Sequence, residues 1–195
     1  MKVRPSSLRP QPVRRTARGA HRRDLTAAVL RAQAEQSSLP IDVEQIARTA
    51  GATLAFEPFD GDVSGFLVRN EEQTVIGVNS AHPITRQRFT IAHEIGHLKL
   101  HDGHPLIVDK LVRVNMRRAA SLPSDKEEVA ANKFAAQLLM PTEQLRREFG
   151  KAIPKRGPTS ADLLVAHLSK IFAVSPQAMT YRLRELSLLS EMSLF

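Results

Sequence analysis

The feature that most constrains this chain is the segment at residues 88–98, R-F-T-I-A-H-E-I-G-H-L, which contains the pattern H-E-x-x-H. On an α-helix, residues four positions apart share a face, so His93 and His97 can direct two imidazole nitrogens at one metal ion. Glu94 is poorly placed to reach that ion, but it can reach a water molecule beside it, where a general base is needed. The segment therefore predicts a helix with metal-dependent hydrolytic chemistry, although the same pattern also arises in helices without a metal.

A catalytic zinc site usually has three protein ligands, so a third one is needed elsewhere in the chain. His101 and His104 fall where the helix is expected to end, which makes them surface or capping residues rather than ligands. The amphipathic segment from Ser124 to Pro141 is a better source, because Glu128 and Asn132 share one of its faces. Glu128 can be the third ligand, and Asn132 can accept a hydrogen bond from a ligand histidine. The alternative is that Glu128 only stabilises the helix N-terminus.

Two motifs together give the chain a specific resemblance. They are R-x-R-F-T-x-A-H-E-x-G-H-L at residues 86–98 and E-x-x-A-N-x-F-A-x-x-L-L-M-P at residues 128–141. With them the chain resembles the ImmA/IrrE family of bacterial metallopeptidases, a branch of the thermolysin-like zincins. The resemblance implies an α+β fold, a minimal zincin domain with N-terminal helices, a small antiparallel β-sheet, the H-E-x-x-H helix and a second glutamate-bearing helix. Helix-turn-helix-like helices are expected at the C-terminus.

The same resemblance implies roles for the site residues. His93, His97 and Glu128 would be the Zn²⁺ ligands, with Mn²⁺ as a substitute in vitro, and Glu94 would be the catalytic acid/base. The implied function is a zinc-dependent, site-specific endopeptidase. Its substrate would be an Xre-type helix-turn-helix repressor encoded nearby, whose cleavage switches on stress-response or mobile-element genes. The rival hypothesis is a DNA- or repressor-binding regulator, as in a toxin–antitoxin system or a phage switch, that uses the zincin fold without proteolysis.

The charge of the chain is unevenly distributed. Its formal net charge of +8 alone would indicate nucleic-acid binding, but residues 1–24 hold eight Lys and Arg against one acidic residue. The rest carries 20 basic and 19 acidic residues. We expect residues 1–23 to be a disordered basic arm that either contacts nucleic acid or serves as a solubilising tail. The absence of cysteine, of a secretory signal and of a membrane-spanning stretch favours a cytoplasmic protein without a membrane partner.

Hydrophobic periodicity places the remaining elements. Two helices and three short strands are predicted before the helix that carries H-E-x-x-H, which we call the metal helix. The strands are at residues 53–56, 63–69 and 74–79, and the last two form a hairpin. Residues 64–68 or 74–79 are expected to border the cleft as an edge strand that binds substrate in extended form, unless both are core strands. The segment 102–124 reads as a strand or a mobile flap.

The pattern divides the chain after the arm into a zincin-like domain at residues 24–150, a Gly- and Pro-rich linker at 151–160 and a C-terminal element at 161–195. The last element is typical of a helix-turn-helix, with Ser175 as the cap of its second helix. Candidates for DNA contact in it are Tyr181, Arg182 and Arg184. The alternative is that these helices pack on the catalytic domain.

Overall fold

The computed structural model describes residues 26–60, 63–101, 106–110, 124–153 and 160–191, and these ranges contain eight helices and four strands. The helices are α1 (26–33), α2 (Val43–Thr49), α3 (Ile84–Leu100), α4 (Asp125–Leu139), α5 (Thr142–Ala152), α6 (Ala161–Phe172), α7 (Pro176–Glu185) and α8 (Leu188–Glu191). The strands are β1 (Thr53–Glu57), β2 (Val63–Arg69), β3 (Thr74–Asn79) and β4 (Leu106–Lys110). The predicted α+β class is confirmed. The predicted arm at 1–23 and most of the predicted linker lie outside the described residues.

The four strands form one sheet in the order β1-β3-β2-β4. The predicted hairpin is confirmed, because β2 and β3 pair antiparallel from Gly65 opposite Val78 to Arg69 opposite Thr74. β4 also pairs antiparallel with β2, but β1 pairs parallel with β3. The sheet is therefore mixed, where an antiparallel sheet was predicted. The reason is topological, since β3 inserts between β1 and β2, which run in opposite directions.

The strand order corrects the prediction of a substrate-binding edge at residues 64–68 or 74–79. β2 is paired on both sides, with β3 and β4, and β3 is paired with β1 and β2. Neither strand has a free row of backbone hydrogen-bonding groups, so neither can bind an extended peptide as a further strand. The edges are β1 and β4. β4 falls within the segment 102–124, much of which lies outside the described residues.

Helix α3 is the central element of the fold. It packs on β2 and β3 and against α4, and all eight residues from Thr90 to His97 are buried. The close approach of α4 requires a glycine, because a Cβ at Gly96 would lie 3.1 Å from Ala131 Cα and 3.1 Å from Phe134 Cδ1. Helix α4 can therefore approach α3 at the level of the two histidines.

Polar contacts fix the ends of these two helices. At the C-terminus of α3, Arg69 Nη2 on β2 donates to the carbonyl oxygens of His97 at 3.2 Å and His101 at 2.8 Å. A cation at this end also opposes the negative end of the helix dipole. Helix α4 begins with a capping box, in which Ser124 Oγ accepts from the backbone N–H of Glu127 and the Glu127 carboxylate accepts from Ser124 N. These contacts thus hold the end of α3 that follows the two histidines and the end of α4 that carries Glu128.

The C-terminal helices share the hydrophobic core of the metal-helix region. Leu168 and Phe172 of α6 belong to the same buried cluster as Ile91 of α3 and Phe134 of α4. Arg88 of α3 donates to Ala173 O at 3.1 Å and Ile41 O at 2.7 Å, which ties the metal helix to both ends of the described chain. In the described ranges, no helix has the length and apolar character that crossing a membrane requires.

Candidate metal centre

Three side chains from α3 and α4 converge on one point. His93 and His97 lie one turn apart on α3, and Glu128 faces them from the first turn of α4. Their donor atoms all lie within 4.8 Å of one another, and they are the one such group of three or more His, Cys, Asp and Glu side chains that the described residues form. The structure thus brings together the three residues that the sequence analysis proposed as ligands, although they are separated by 35 positions of sequence.

The distances between these donor atoms suit a small divalent ion. His93 Nε2 and His97 Nε2 are 2.9 Å apart, and each lies 3.3 Å from one Glu128 carboxylate oxygen. A tetrahedral ion about 2.0–2.1 Å from each ligand holds neighbouring ligand atoms about 3.3–3.4 Å apart. Two imidazole nitrogens and one carboxylate oxygen also form a ligand set that catalytic zinc sites use. The two nitrogen–oxygen distances of 3.3 Å match this spacing, the 2.9 Å between the two nitrogens is shorter, and the residues present fit a small divalent ion.

The electrostatics favour the metal-binding form of Glu128. Burial raises its pKa, but hydrogen bonds from His93 and His97, together with their charges, outweigh that effect and lower the pKa from 4.5 to about 2. The carboxylate is therefore ionised at neutral pH. Because the side chain is 36% exposed while the two histidines are buried, Glu128 forms the solvent side of the group.

One hydrogen bond orients His93. Its Nδ1 lies 3.0 Å from Asn132 Oδ1. Since an amide oxygen only accepts, Nδ1 carries a proton, and Nε2, which faces Glu128 and His97, is the ring nitrogen that can bind a metal ion once it is deprotonated. Asn132 lies one turn after Glu128 on α4. The same face of this helix therefore supplies both the carboxylate of Glu128 and the hydrogen bond that orients His93.

Glu94 follows His93 in α3 and is fully buried. Both carboxylate oxygens are inaccessible to solvent. A buried carboxylate on the residue after a metal-binding histidine is suited to act as a general base that handles one proton.

Other candidates from the sequence lie elsewhere. The side chain of Arg182 is 2% exposed and donates to Met140 O at 3.2 Å and to Thr142 Oγ1 at 3.0 Å, so its proposed contact with DNA is wrong. Tyr181 and Arg184 are exposed on α7. His101 follows the last residue of α3 and lies outside the group of donors. His104 lies outside the described residues.

Two residues near the site were not found by sequence reasoning. Arg69 binds the C-terminal carbonyls of α3, and Arg88 binds backbone carbonyls of distant segments. Burial lowers the pKa of Arg88 against the opposing effect of Asp42 and Glu44. The partners of Arg69 and Arg88 are 28 to 85 positions away, so no local pattern could identify them.

Comparison with known proteins agrees with this geometry. The family model described as the IrrE N-terminal-like domain, a peptidase family, matches residues 47–184. The radiation response metalloprotease IrrE of Deinococcus radiodurans is 32% identical over 166 residues, which cover 85% of this chain and 45% of that protein. This chain belongs to the IrrE N-terminal-like family of peptidases. It spans about half the length of the relative that it matches.

Proposed function

We propose that this protein is a zinc-dependent, site-specific endopeptidase. The observation that carries the proposal is the convergence of His93, His97 and Glu128, whose donor atoms lie within 4.8 Å of one another; Glu94, the residue after His93 on α3, is fully buried. A structural metal site has no need for a neighbouring buried base, whereas hydrolysis requires one. Membership in a peptidase family supports the same conclusion.

Zinc is the metal that we propose for this site. Nitrogen and carboxylate ligands in a compact, tetrahedral arrangement are typical of catalytic zinc, and Mn²⁺ can replace it in vitro. When bound, the ion would supply Lewis-acid polarisation of the scissile carbonyl and lower the pKa of water. Asn132 would keep the Nε2 lone pair of His93 available for it.

Glu94 would perform the proton transfers. Its carboxylate would accept a proton from the attacking water and then donate it to the nitrogen of the leaving amine, so that one side chain serves both halves of the reaction. Burial of Glu94 would keep the proton from exchanging with bulk water between the two steps. Among the described strands, β4 lies beside β2 at the edge of the sheet. Its free side could hold a substrate in extended form through backbone hydrogen bonds.

The substrate that we propose is an Xre-type helix-turn-helix repressor encoded near the gene, whose cleavage would switch on stress-response or mobile-element genes. The resemblance of both sequence motifs to the ImmA/IrrE family supports this substrate. The relative from Deinococcus radiodurans is named for a radiation response, which agrees with a stress-related role.

The test is incubation of the purified protein, loaded with Zn²⁺ or Mn²⁺, with the repressor encoded beside its gene. We expect one discrete cut, identified by the intact masses of the products. The Glu94→Gln variant is the matched control, because it keeps the size and burial of the side chain and removes the base. It should bind the metal as the wild-type protein does and lose at least about 10²–10⁴-fold in rate.

Two results would contradict the peptidase proposal. One is an equal rate of cleavage by the Glu94→Gln variant, and the other is the absence of any cut by the metal-loaded wild-type protein. Removal of the metal with a chelator should abolish cleavage, and addition of Zn²⁺ should restore it.

The second candidate function is a DNA- or repressor-binding regulator that does not cut its partner. The exposed Tyr181 and Arg184 on α7 favour it, since both can reach nucleic acid. It predicts that Glu94→Gln retains full biological activity in cells and that DNA affinity falls steeply with salt. The peptidase proposal predicts loss of that activity.

A further inference from the structure

A groove of about 810 Å³ lies between α3, α4 and α7. Its apolar surface comes from all three helices and includes Phe89, Ala136, Ala178 and Tyr181. Phe89 and Ala178 are half-buried, and Tyr181 is 64% exposed. An open apolar groove of this size is large enough to take one or two bulky side chains of another molecule.

The groove borders the metal centre through Asn132 and Phe89, although none of His93, His97 and Glu128 lines it. Asn132 lines it while its Oδ1 lies 3.0 Å from His93 Nδ1. Phe89 lies one turn before His93 on α3, and the two ring centres are 6.5 Å apart. A peptide with its scissile bond at the metal centre would therefore have neighbouring side chains at the entrance to the groove.

The charges that line the groove favour an acidic partner. Three lining side chains are cationic and one is anionic: Arg86, Lys133, Arg182 and Glu185. The anionic Glu185 is paired with Arg182 at 2.7 Å, and Arg86 donates to Ser64 Oγ at 2.9 Å. In the part of the chain that the structure describes, the exposed Lys133 takes part in no ion pair. Lys133 can thus attract a carboxylate at the rim.

We propose that this groove is the specificity site for the protein substrate, and that it takes a bulky apolar side chain with an acidic residue beside it. The inference rests on the proposed peptidase function. It gives α7 a role in binding the substrate, where the helix-turn-helix pattern alone suggests DNA. The substrate would be selected by this groove as well as by the backbone contacts of its extended chain.

The experiment uses the repressor encoded beside the gene, at the bond located by intact mass. We expect an apolar residue next to an acidic one within a few positions of that bond. Lys133→Glu should raise KM for the repressor about two- to fivefold, the effect of an exposed charge pair, with little change in kcat. Replacement of the acidic residue of the repressor by lysine should restore the KM of this variant.

Two further variants keep the test specific. Lys170→Glu makes the same change of charge on an exposed position of α6, outside the groove, and should leave KM unchanged. Ala178→Phe fills the groove from α7 and should lower kcat/KM at least about tenfold. Its melting temperature, compared with that of the wild-type protein, shows whether the fold is kept.

The groove proposal would be overturned if both Lys133→Glu and Ala178→Phe cleave with the wild-type kcat/KM while cleavage still depends on Glu94. The peptidase function would then stand. A loss of DNA affinity in Lys133→Glu with unchanged cleavage would assign the surface to nucleic acid and overturn it as well. Absence of any cut by the wild-type protein would overturn the peptidase function, and this inference with it.

Discussion

At the scale of single residues, the hydrogen bond between Asn132 and His93 connects the second helix of the site to the first. It fixes the ring orientation and the tautomer of His93. We predict that Asn132→Ala lowers zinc affinity about 10–100-fold, the usual effect of removing such a support. Competition with a zinc-binding dye measures this affinity directly.

The control for this prediction is Asn132→Asp. It keeps an acceptor oxygen at the same position, so zinc affinity should stay close to that of the wild-type protein. If Asn132→Ala and Asn132→Asp lose affinity equally, the hydrogen bond to His93 is not what supports the site.

The sequence was sufficient to propose the three donors. His93 and His97 follow from helical spacing, and Glu128 follows from a second amphipathic segment with a carboxylate in its first turn. The sequence was not sufficient for residues that act through distant backbone atoms. Arg69 donates to the backbone carbonyl groups of residues 97 and 101. Every residue has such a group, so the residue type at these positions does not identify the contact.

At the scale of elements, Gly96 controls the distance between α3 and α4. A methyl group there would meet Ala131 Cα and Phe134 Cδ1, both at 3.1 Å, and would push the helices apart. Gly96→Ala should therefore destabilise the protein by about 1–2 kcal/mol, since overpacking exceeds the gain in helix propensity. It should also lower zinc affinity, because Glu128 moves with α4. Thermal unfolding and zinc titration measure the two effects.

Gly150 in α5 provides the matched control, because a Cβ there would meet no atom within 4 Å. Gly150→Ala should stabilise the protein by roughly 0.5–1 kcal/mol through helix propensity alone. A loss of stability of the same size in both variants would show that the spacing of α3 and α4 is not the cause.

The turn between α6 and α7 gives an independent prediction. Ala173 has φ 49° and ψ 52°, a left-handed conformation that costs an alanine roughly 1–2 kcal/mol. Ala173→Gly should raise the free energy of unfolding by about 0.5–1 kcal/mol, after the greater freedom of glycine in the unfolded chain is subtracted. Ala166→Gly, at an exposed position within α6, should lower it by about 1 kcal/mol. Urea unfolding of both variants decides the sign.

Elements with a strong local pattern were predicted well. The bounds of β2 and β3 agree with the prediction, and Ser175 caps α7 through its hydrogen bond from Ala178 N. The order of the strands was not predicted, because periodicity shows which residues face the core and not which strand lies beside which. The parallel pairing of β1 with β3 and the edge position of β4 depend on that order.

At the scale of the whole molecule, Arg182 joins α7 to the end of α4. Its buried guanidinium donates to Met140 O and Thr142 Oγ1 and pairs with Glu185. We predict that Arg182→Leu destabilises the whole protein by about 3 kcal/mol, because the buried Met140 carbonyl loses its partner. Arg184→Leu, at an exposed position of the same helix, should change stability by less than about 0.5 kcal/mol.

Chemical denaturation followed by circular dichroism measures both variants. A single transition in Arg182→Leu, shifted to lower denaturant, is the expected result for a core shared by the C-terminal helices and the metal-helix region. An unchanged main transition would mean that α7 folds and unfolds independently of the site.

The division of the chain into a catalytic domain and a C-terminal element was drawn from a Gly- and Pro-rich stretch, and composition alone can indicate no more than a change of segment. In the structure, residues of α6 and α7 are buried together with residues of α3 and α4. The division into a domain at residues 24–150 and a C-terminal element at residues 161–195 stays a prediction. The family match runs from residue 47 to residue 184 and so crosses the proposed boundary.

The contacts of Arg88 have a consequence for how the protein is made. The N-terminus of a chain leaves the ribosome first, so α3 emerges well before Ala173. The carbonyl of Ala173 is the group that Arg88 of α3 binds. Glu128 also emerges after the two histidines, and the buried partners on α6 and α7 emerge later still. A nascent chain therefore passes through a stage at which its two histidines exist without the remainder of the site. Competence to cut a peptide bond would arrive only after α6 and α7 have been synthesised.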